Sequence, residues 1–293
     1  MDQEGALVAF RTLAATWRLE TGPPGRHRKS QGATSGGDNE DAWLARLAGD
    51  YEAFRRTPAT AESIPRVLHQ IWLGPRPVPP SLIERGAAFC RIHPGWTRVL
   101  WRGAAVAALL GGNRGARRAF AKARDWAAKS DVARYYILFV HGGVYADVDV
   151  DFVRSFEPLL RKCNAFVGLA NVRGLEVGNA VMGCAPGCAL MAALVEACDA
   201  AVAAEDVAKT RAAALVAASG FGATLGKVLA EASAARTIET TGPGLLTRVY
   251  FRRAWDCACL PKTILYPVAN DGTGGATGAS ITVHRWECSW KEK

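Results

Sequence analysis

"SDVARYYILFVHGGVYADVDVDF", residues 130 to 152, reads as two elements joined by a stop. The apolar residues before His141 have helical spacing, Gly142–Gly143 end the helix, and an acidic strand follows directly. Asp147, Asp149 and Asp151 stand at every second position of that strand, so alternation predicts that all three carboxylates share one face. Like charges this close resist ionisation unless a cation lies between them. A buried helix feeding straight into a strand whose end is acidic is the pattern of an α/β sheet, in which ligands bind beyond the carboxyl ends of strands.

The flanking sequence agrees. Upstream, "IPRVLHQIWLG" predicts a strand opened by Pro65 and closed by Gly74, "SLIERGAAFCRIHPGW" a helix and a turn, and "TRVLW" a second strand. "AAVAALL" and "GARRAFAKARDWAAKS" predict helices, and "DVARYYILFVHGG" a further one, which Ser130 is expected to cap. Downstream, "AFVGLA" and "NAVMGC" predict short strands, and the alanine-rich stretches to residue 235 and "GPGLLTRVYFRRAW" predict helices. "TILYPV" and "ITVHRWECSW" are expected as closing strands. Alternating strands and helices predict an α/β domain with a largely parallel sheet between helices.

Residues 1–62 are set apart as N-terminal helical segments and a linker, and residues 63–293 as one catalytic domain. "TGPPGRHRKSQGATSGGDNE" (21–40) has almost nothing to bury and reads as a flexible linker. "DAWLARLAGDYEAFRR" then reads as one amphipathic helix. With 293 residues and a net charge of +9, the chain can bury a large core and favours acidic partners such as phosphates and nucleotides. No nucleic-acid-binding motif accompanies the charge, so no nucleic-acid partner is expected. Eight cysteines without a CxxC pair argue against a zinc ribbon or a disulfide-built scaffold. No apolar run is long enough for a transmembrane segment.

Three chemistries compete for the acidic strand. A calcium loop of the EF-hand kind needs Gly and Glu where the sequence has Phe152 and Pro158. An aspartyl-phosphate phosphatase opens with D-x-D-x-[TV], which "DVDV" fits, but no convincing acidic magnesium motif follows. A metal–diphosphate clamp remains: a hard divalent cation takes carboxylates on one side and substrate phosphates on the other.

The block 130–152 resembles the catalytic core of the DXD-containing, Och1-like glycosyltransferases (glycosyltransferase family 32). It is also similar to the glucosylating domains of large clostridial toxins. "IPRVLHQIWLG", "HPGW", "GNAVMGCAPGC", "TGPGLLTRV" and "HRWECSW" extend the resemblance in the family's order over residues 63 to 290. It implies a GT-A fold, Mn²⁺ or Mg²⁺, and retaining transfer of a hexose. The donor would be GDP-mannose first, or a UDP-hexose, and the acceptor a glycan, glycolipid or glycoprotein. A non-catalytic nucleotide-sugar- or glycan-binding relative is the alternative.

The same resemblance implies the roles. Asp147 and Asp149 match the DXD pair and would hold the metal, with Asp147 also on the donor. Asp131 and Arg134, one helical turn apart, would contact donor hydroxyls and the charge near the diphosphate; the plain alternative is a surface ion pair worth tenths of a kcal/mol. Trp72 would stack on the donor base, and Asn179 would sit beside a sugar. Two aspartates do not fill an octahedral shell, so a third ligand is expected from His284 or Ser289. Ser289 would also touch the donor, and Trp290 the leaving oxygen. Golgi or secretory-lumen residence follows if a longer form carries an anchor, and otherwise a cytoplasmic one.

Overall fold

The computed structural model describes residues 37–58, 62–171, 175–219 and 233–287. The N-terminal segment before the linker and most of the linker, with its basic "RHRK", lie outside them, as do Ser289 and Trp290. In chain order the elements are α1 (Gly37–Arg56), β1 (Val67–Ile71), α2 (Pro80–Ile92), β2 (Thr97–Trp101), α3 (Gly103–Leu110), α4 (Arg114–Lys122) and α5 (Trp126–His141). Then come β3 (Gly143–Ala146), β4 (Val150–Phe152), α6 (Glu157–Leu160), β5 (Ala165–Asn171), β6 (Glu176–Cys184) and α7 (Ala189–Ser219). The described chain ends with α8 (Ser233–Thr240), α9 (Pro243–Arg252), β7 (Ala258–Leu260), α10 (Lys262–Leu265) and β8 (Thr282–His284).

Six strands form one sheet in the order β2-β1-β3-β6-β5-β7, and β4 pairs with β8 in a second, two-stranded sheet. The pairs β1–β2, β1–β3 and β5–β7 are parallel, whereas β6 runs antiparallel to both β3 and β5. One reversed strand therefore sits inside an otherwise parallel sheet. This is an α/β architecture with a largely parallel sheet, as the sequence predicts. Two apolar clusters fill the interior: one holds Tyr135, Met182 and Leu194, the other Phe89, Phe156, Phe166 and Tyr266. Leu47 and Ala48 of α1 belong to the first.

The helix-to-strand joint is tight. Gly143 has φ +89°, and a Cβ there would lie 2.7 Å from the Val67 carbonyl oxygen, so β1 and β3 approach only because the side chain is a hydrogen atom. Beside it His69 donates from Nε2 to the Gly142 carbonyl (3.0 Å) and accepts the Trp101 indole N–H at Nδ1 (3.0 Å). Burial lowers its pKa to about 4, so the ring is neutral and supports backbone.

Four expectations are corrected. The acidic stretch is not one strand: β3 ends at Ala146, Val150 N–H bonds the Asp147 carbonyl (3.2 Å), and β4 joins the other sheet. Asp147 and Asp149 therefore share a site because of a turn, and Asp151 faces elsewhere. Ser130 does not cap α5, because Asp125 accepts the Ala128 N–H (2.7 Å) a turn earlier and Ser130 lies inside the helix. The same cap divides "GARRAFAKARDWAAKS", expected as one helix, between α4 and the first turn of α5. Finally, "TILYPV" is not a strand: Pro261, with φ −54°, starts a short helix, and the preceding Ala258–Leu260 takes the edge of the sheet.

Candidate active site

The site is built where β3 ends. Asp147 leaves the sheet with its N–H on the Ala180 carbonyl of β6 (2.8 Å) and its own carbonyl facing the Gln70 amide (3.4 Å). Its Oδ1 accepts the Tyr145 hydroxyl (2.6 Å) and lies 3.2 Å from Arg134 Nη1. Two residues on, Asp149 is 6% exposed. Its Oδ1 lies 3.1 Å from His284 Nε2, and its Oδ2 accepts the Glu287 N–H (2.9 Å). Burial pushes this carboxyl up, but the bonds from His284 and the Glu287 amide prevail and hold it below the usual carboxylate range.

His284 ends β8, whose pairing with β4 sets Val150 opposite it. Ligand atoms of Asp147, Asp149 and His284 lie within 4.8 Å of one another. His284 Nδ1 is buried and has no hydrogen-bond partner among the described residues. Two carboxylates and an imidazole suit Mn²⁺, and three protein donors leave positions of an octahedral shell for phosphate and water. The residues present thus fit a divalent cation.

Behind the cluster lies a second, drier layer. Arg134 and Asp131 of α5 are each 5% exposed and 3.1 Å apart. Arg134 also donates to the Asn179 carbonyl (2.9 Å) and stands over the Tyr145 ring, 4.5 Å from its centroid. Asp131 accepts from Asn179 Nδ2 (2.8 Å) at Oδ1 and from the Thr241 hydroxyl (2.9 Å) at Oδ2. Burial raises its carboxyl to about 6, with Arg134 and Thr241 pulling the other way. Arg134 stays protonated, because Asp147, Tyr145 and Asp131 more than offset its burial.

The structure brings Asp131, Arg134, Asp147, Asp149, Asn179 and His284 together. Trp72 follows β1, half-buried, with its indole N–H on the Arg76 carbonyl (2.9 Å). Asp151 turns away to Arg85 (2.9 Å) and Arg285 (2.6 Å), and Arg85 also clasps Glu287. The Glu287 side chain therefore faces away from the cluster, which it serves through its backbone. Sequence reasoning missed Tyr145, which alternates with Asp147 beyond Ala146, and Thr241, which directly precedes Gly242–Pro243.

Buried Asp149 and partly exposed Asp147, with an imidazole beside them and an arginine behind, form a donor set that suits a divalent cation. Residues 88–165 match the family described as the glycosyltransferase sugar-binding region containing the DXD motif. Inositol phosphoceramide mannosyltransferase 1 of Schizosaccharomyces pombe is 32% identical over 109 residues, 36% of this chain and 34% of that protein. Inositol phosphoceramide mannosyltransferase 3 of the same organism is 29% identical over 136 residues, 43% and 34% respectively. The chain thus spans about a third of the length of the curated relatives it matches. Among solved structures, PaToxG glycosyltransferase gives a TM-score of 0.48 at 13% identity, covering 73% of this chain and 77% of that one. The UDP-bound glycosyltransferase domain from the YGT toxin gives 0.46 at 13% identity, covering 76% and 83%.

Proposed function

We propose that this protein is a metal-dependent, retaining glycosyltransferase. It transfers a hexose, mannose first and glucose or galactose next, from a nucleotide diphosphate sugar to a glycan, glycolipid or protein-linked acceptor. The observation that carries the reading is the convergence of Asp147, Asp149 and His284 within 4.8 Å, from segments far apart in sequence. The names of the two yeast relatives support mannose as the sugar and a glycolipid as the acceptor.

Held by Asp147, Asp149 and His284, Mn²⁺ or Mg²⁺ would offset the charge that builds on the departing diphosphate. Arg134 presents a fixed positive charge beside Asp147, prepared by folding and needing no reorganisation during the reaction. Asp131 holds Arg134 and Asn179 and offers its remaining lone pairs to donor hydroxyls. Asn179 borders the sugar, and Trp72 provides an indole face for the donor base. Ser289 and Trp290 complete the donor side in this reading. Retention comes with the family resemblance, as does residence in a secretory lumen where a longer form carries an anchor, with a cytoplasmic place otherwise.

A panel of GDP- and UDP-sugars with Mn²⁺, reading nucleotide release, tests the proposal. Turnover with one donor and its loss on chelation are expected. Tight donor binding with no turnover, with or without acceptor glycolipids and glycans, would leave a binding module instead.

A further inference from the structure

Past His284 the chain leaves β8, and residues 285 to 287 belong to no helix or strand. They are nevertheless tied to the acidic turn. Arg285 donates its N–H to the Asp149 carbonyl (3.1 Å). Trp286 has φ +56°, the left-handed region that a bulky side chain enters only where its surroundings impose it. Its indole N–H meets the Val268 carbonyl (3.0 Å), and its ring packs on His284 with centroids 4.2 Å apart. With that bend in place, the Glu287 N–H reaches Oδ2 of Asp149 (2.9 Å).

The Glu287 side chain points outward, 44% exposed, and meets Arg85 of α2, which is 16% exposed. Arg85 gives Nη2 to Oε1 of Glu287 and Nη1 to Oε2 (3.4 Å), a two-pronged grip. Its Nε holds Oδ1 of Asp151 in β4 (2.9 Å), and Arg285 holds the other oxygen of that carboxylate (2.6 Å). One guanidinium on α2 thus touches both the strand that leaves the acidic turn and the segment bonded to Asp149. Loose surface pairs hold little, but Arg85 is already ordered by Asp151 and presents a fixed fork, so less freedom is lost in gripping Glu287.

We propose that Arg85 is a positioning residue: by gripping the Glu287 side chain it keeps the Glu287 N–H on Asp149 and so fixes that carboxylate for a cation. The inference rests on the metal-dependent reading above, since a cation is what the carboxylate would serve. A terminal carboxylate torsion is broad, and Asp149 is held by one donor on each oxygen, His284 on Oδ1 and the Glu287 amide on Oδ2. Released from Arg85, residues 285–287 have no ladder to keep them, and the strain at Trp286 favours a different path. The amide would then withdraw and leave Asp149 free to turn. Partners that orient a ligand in this way set metal affinity without touching the metal.

The test compares the full chain with Arg85→Met, Glu287→Ala, the double variant and Asp151→Asn. Hydrogen exchange at the Glu287 amide is followed without metal, and Mn²⁺ affinity is then titrated by calorimetry. Arg85→Met and Glu287→Ala should each speed the exchange and weaken Mn²⁺ binding about tenfold. The double variant should do no more than either one, because both break the same grip. Asp151→Asn spares that grip and should shift neither quantity as far. Glu287 is exposed, so Glu287→Ala decides if Arg85→Met impairs folding. Unchanged exchange and affinity in Glu287→Ala, additive effects of the two substitutions, or an equal effect from Asp151→Asn overturns the proposal. Failure of the wild type to bind Mn²⁺ would sink the metal reading instead, and the exchange rates would then decide the Arg85 grip alone.

Discussion

His284 sets its Nε2 3.1 Å from Oδ1 of Asp149, across 135 residues of chain. The contact joins the last described strand to the turn after β3, and the β4–β8 ladder is what makes it reproducible. The Glu287 amide holds the other carboxylate oxygen. Asp149 is thereby kept ionised although it is nearly buried.

Asp149→Asn keeps the shape and removes the charge. Nucleotide release from the preferred donor should fall on the order of a hundredfold or more, measured with Mn²⁺ in excess. Rates equal to wild type would remove the assigned metal role.

His284→Ala takes away the imidazole and leaves both carboxylates. Mn²⁺ affinity, read by calorimetric titration, should weaken by about ten- to a hundredfold. An unchanged affinity would mean that the third ligand comes from elsewhere.

Arg134→Met removes the cation shared by Asp131 and Asp147. Leaving buried Asp131 without its partner should cost about 3–5 kcal/mol in a urea titration. Adding Asp131→Asn should recover part of that loss, as a double-mutant cycle would register. Strict additivity would show that the two side chains do not depend on each other.

Acid should weaken the fold through two buried histidines. His69 is lowered by burial from 6.5 to about 4, and His93, whose Nε2 accepts the Phe156 N–H, is lowered for the same first reason. Between those values the unfolded state binds more protons at these two rings than the folded one, so their contribution to stability is fully present above pH 6.5 and falls as pH drops toward 4. His69 alone accounts for roughly 3 kcal/mol over that window. Asp131, raised to about 6, opposes this trend below that pH, so the ring's share is read as a difference. Denaturation midpoints of wild type should fall more steeply between pH 6.5 and 4 than those of His69→Gln, and equal slopes would contradict a neutral, buried ring.

Much of this was legible in the chain because local signals agreed. The Gly142–Gly143 stop, the strand before it in "VLHQI" and the Asp131–Arg134 spacing each depend on nearest neighbours, and each is where the sequence reading put it. What failed depended on tertiary partners. Strand alternation predicted three carboxylates on one face, but β4 has its partner in β8, so the chain turns at Val148–Asp149 and Asp151 meets Arg85 and Arg285 instead. "TILYPV" has strand composition, yet Leu265 and Tyr266 find their burial from a helical turn after Pro261. The choice between His284 and Ser289 likewise rests on which strand reaches the acidic turn, and only His284 lies among the described residues.

The β8 contribution also sets an order of events during synthesis. All six strands of the main sheet, through Leu260, leave the ribosome before residue 284 does. A nascent chain can thus complete its central layer while its two aspartates still face each other without their imidazole. In the proposed reading, capture of a cation by all three waits until residue 284 has been made.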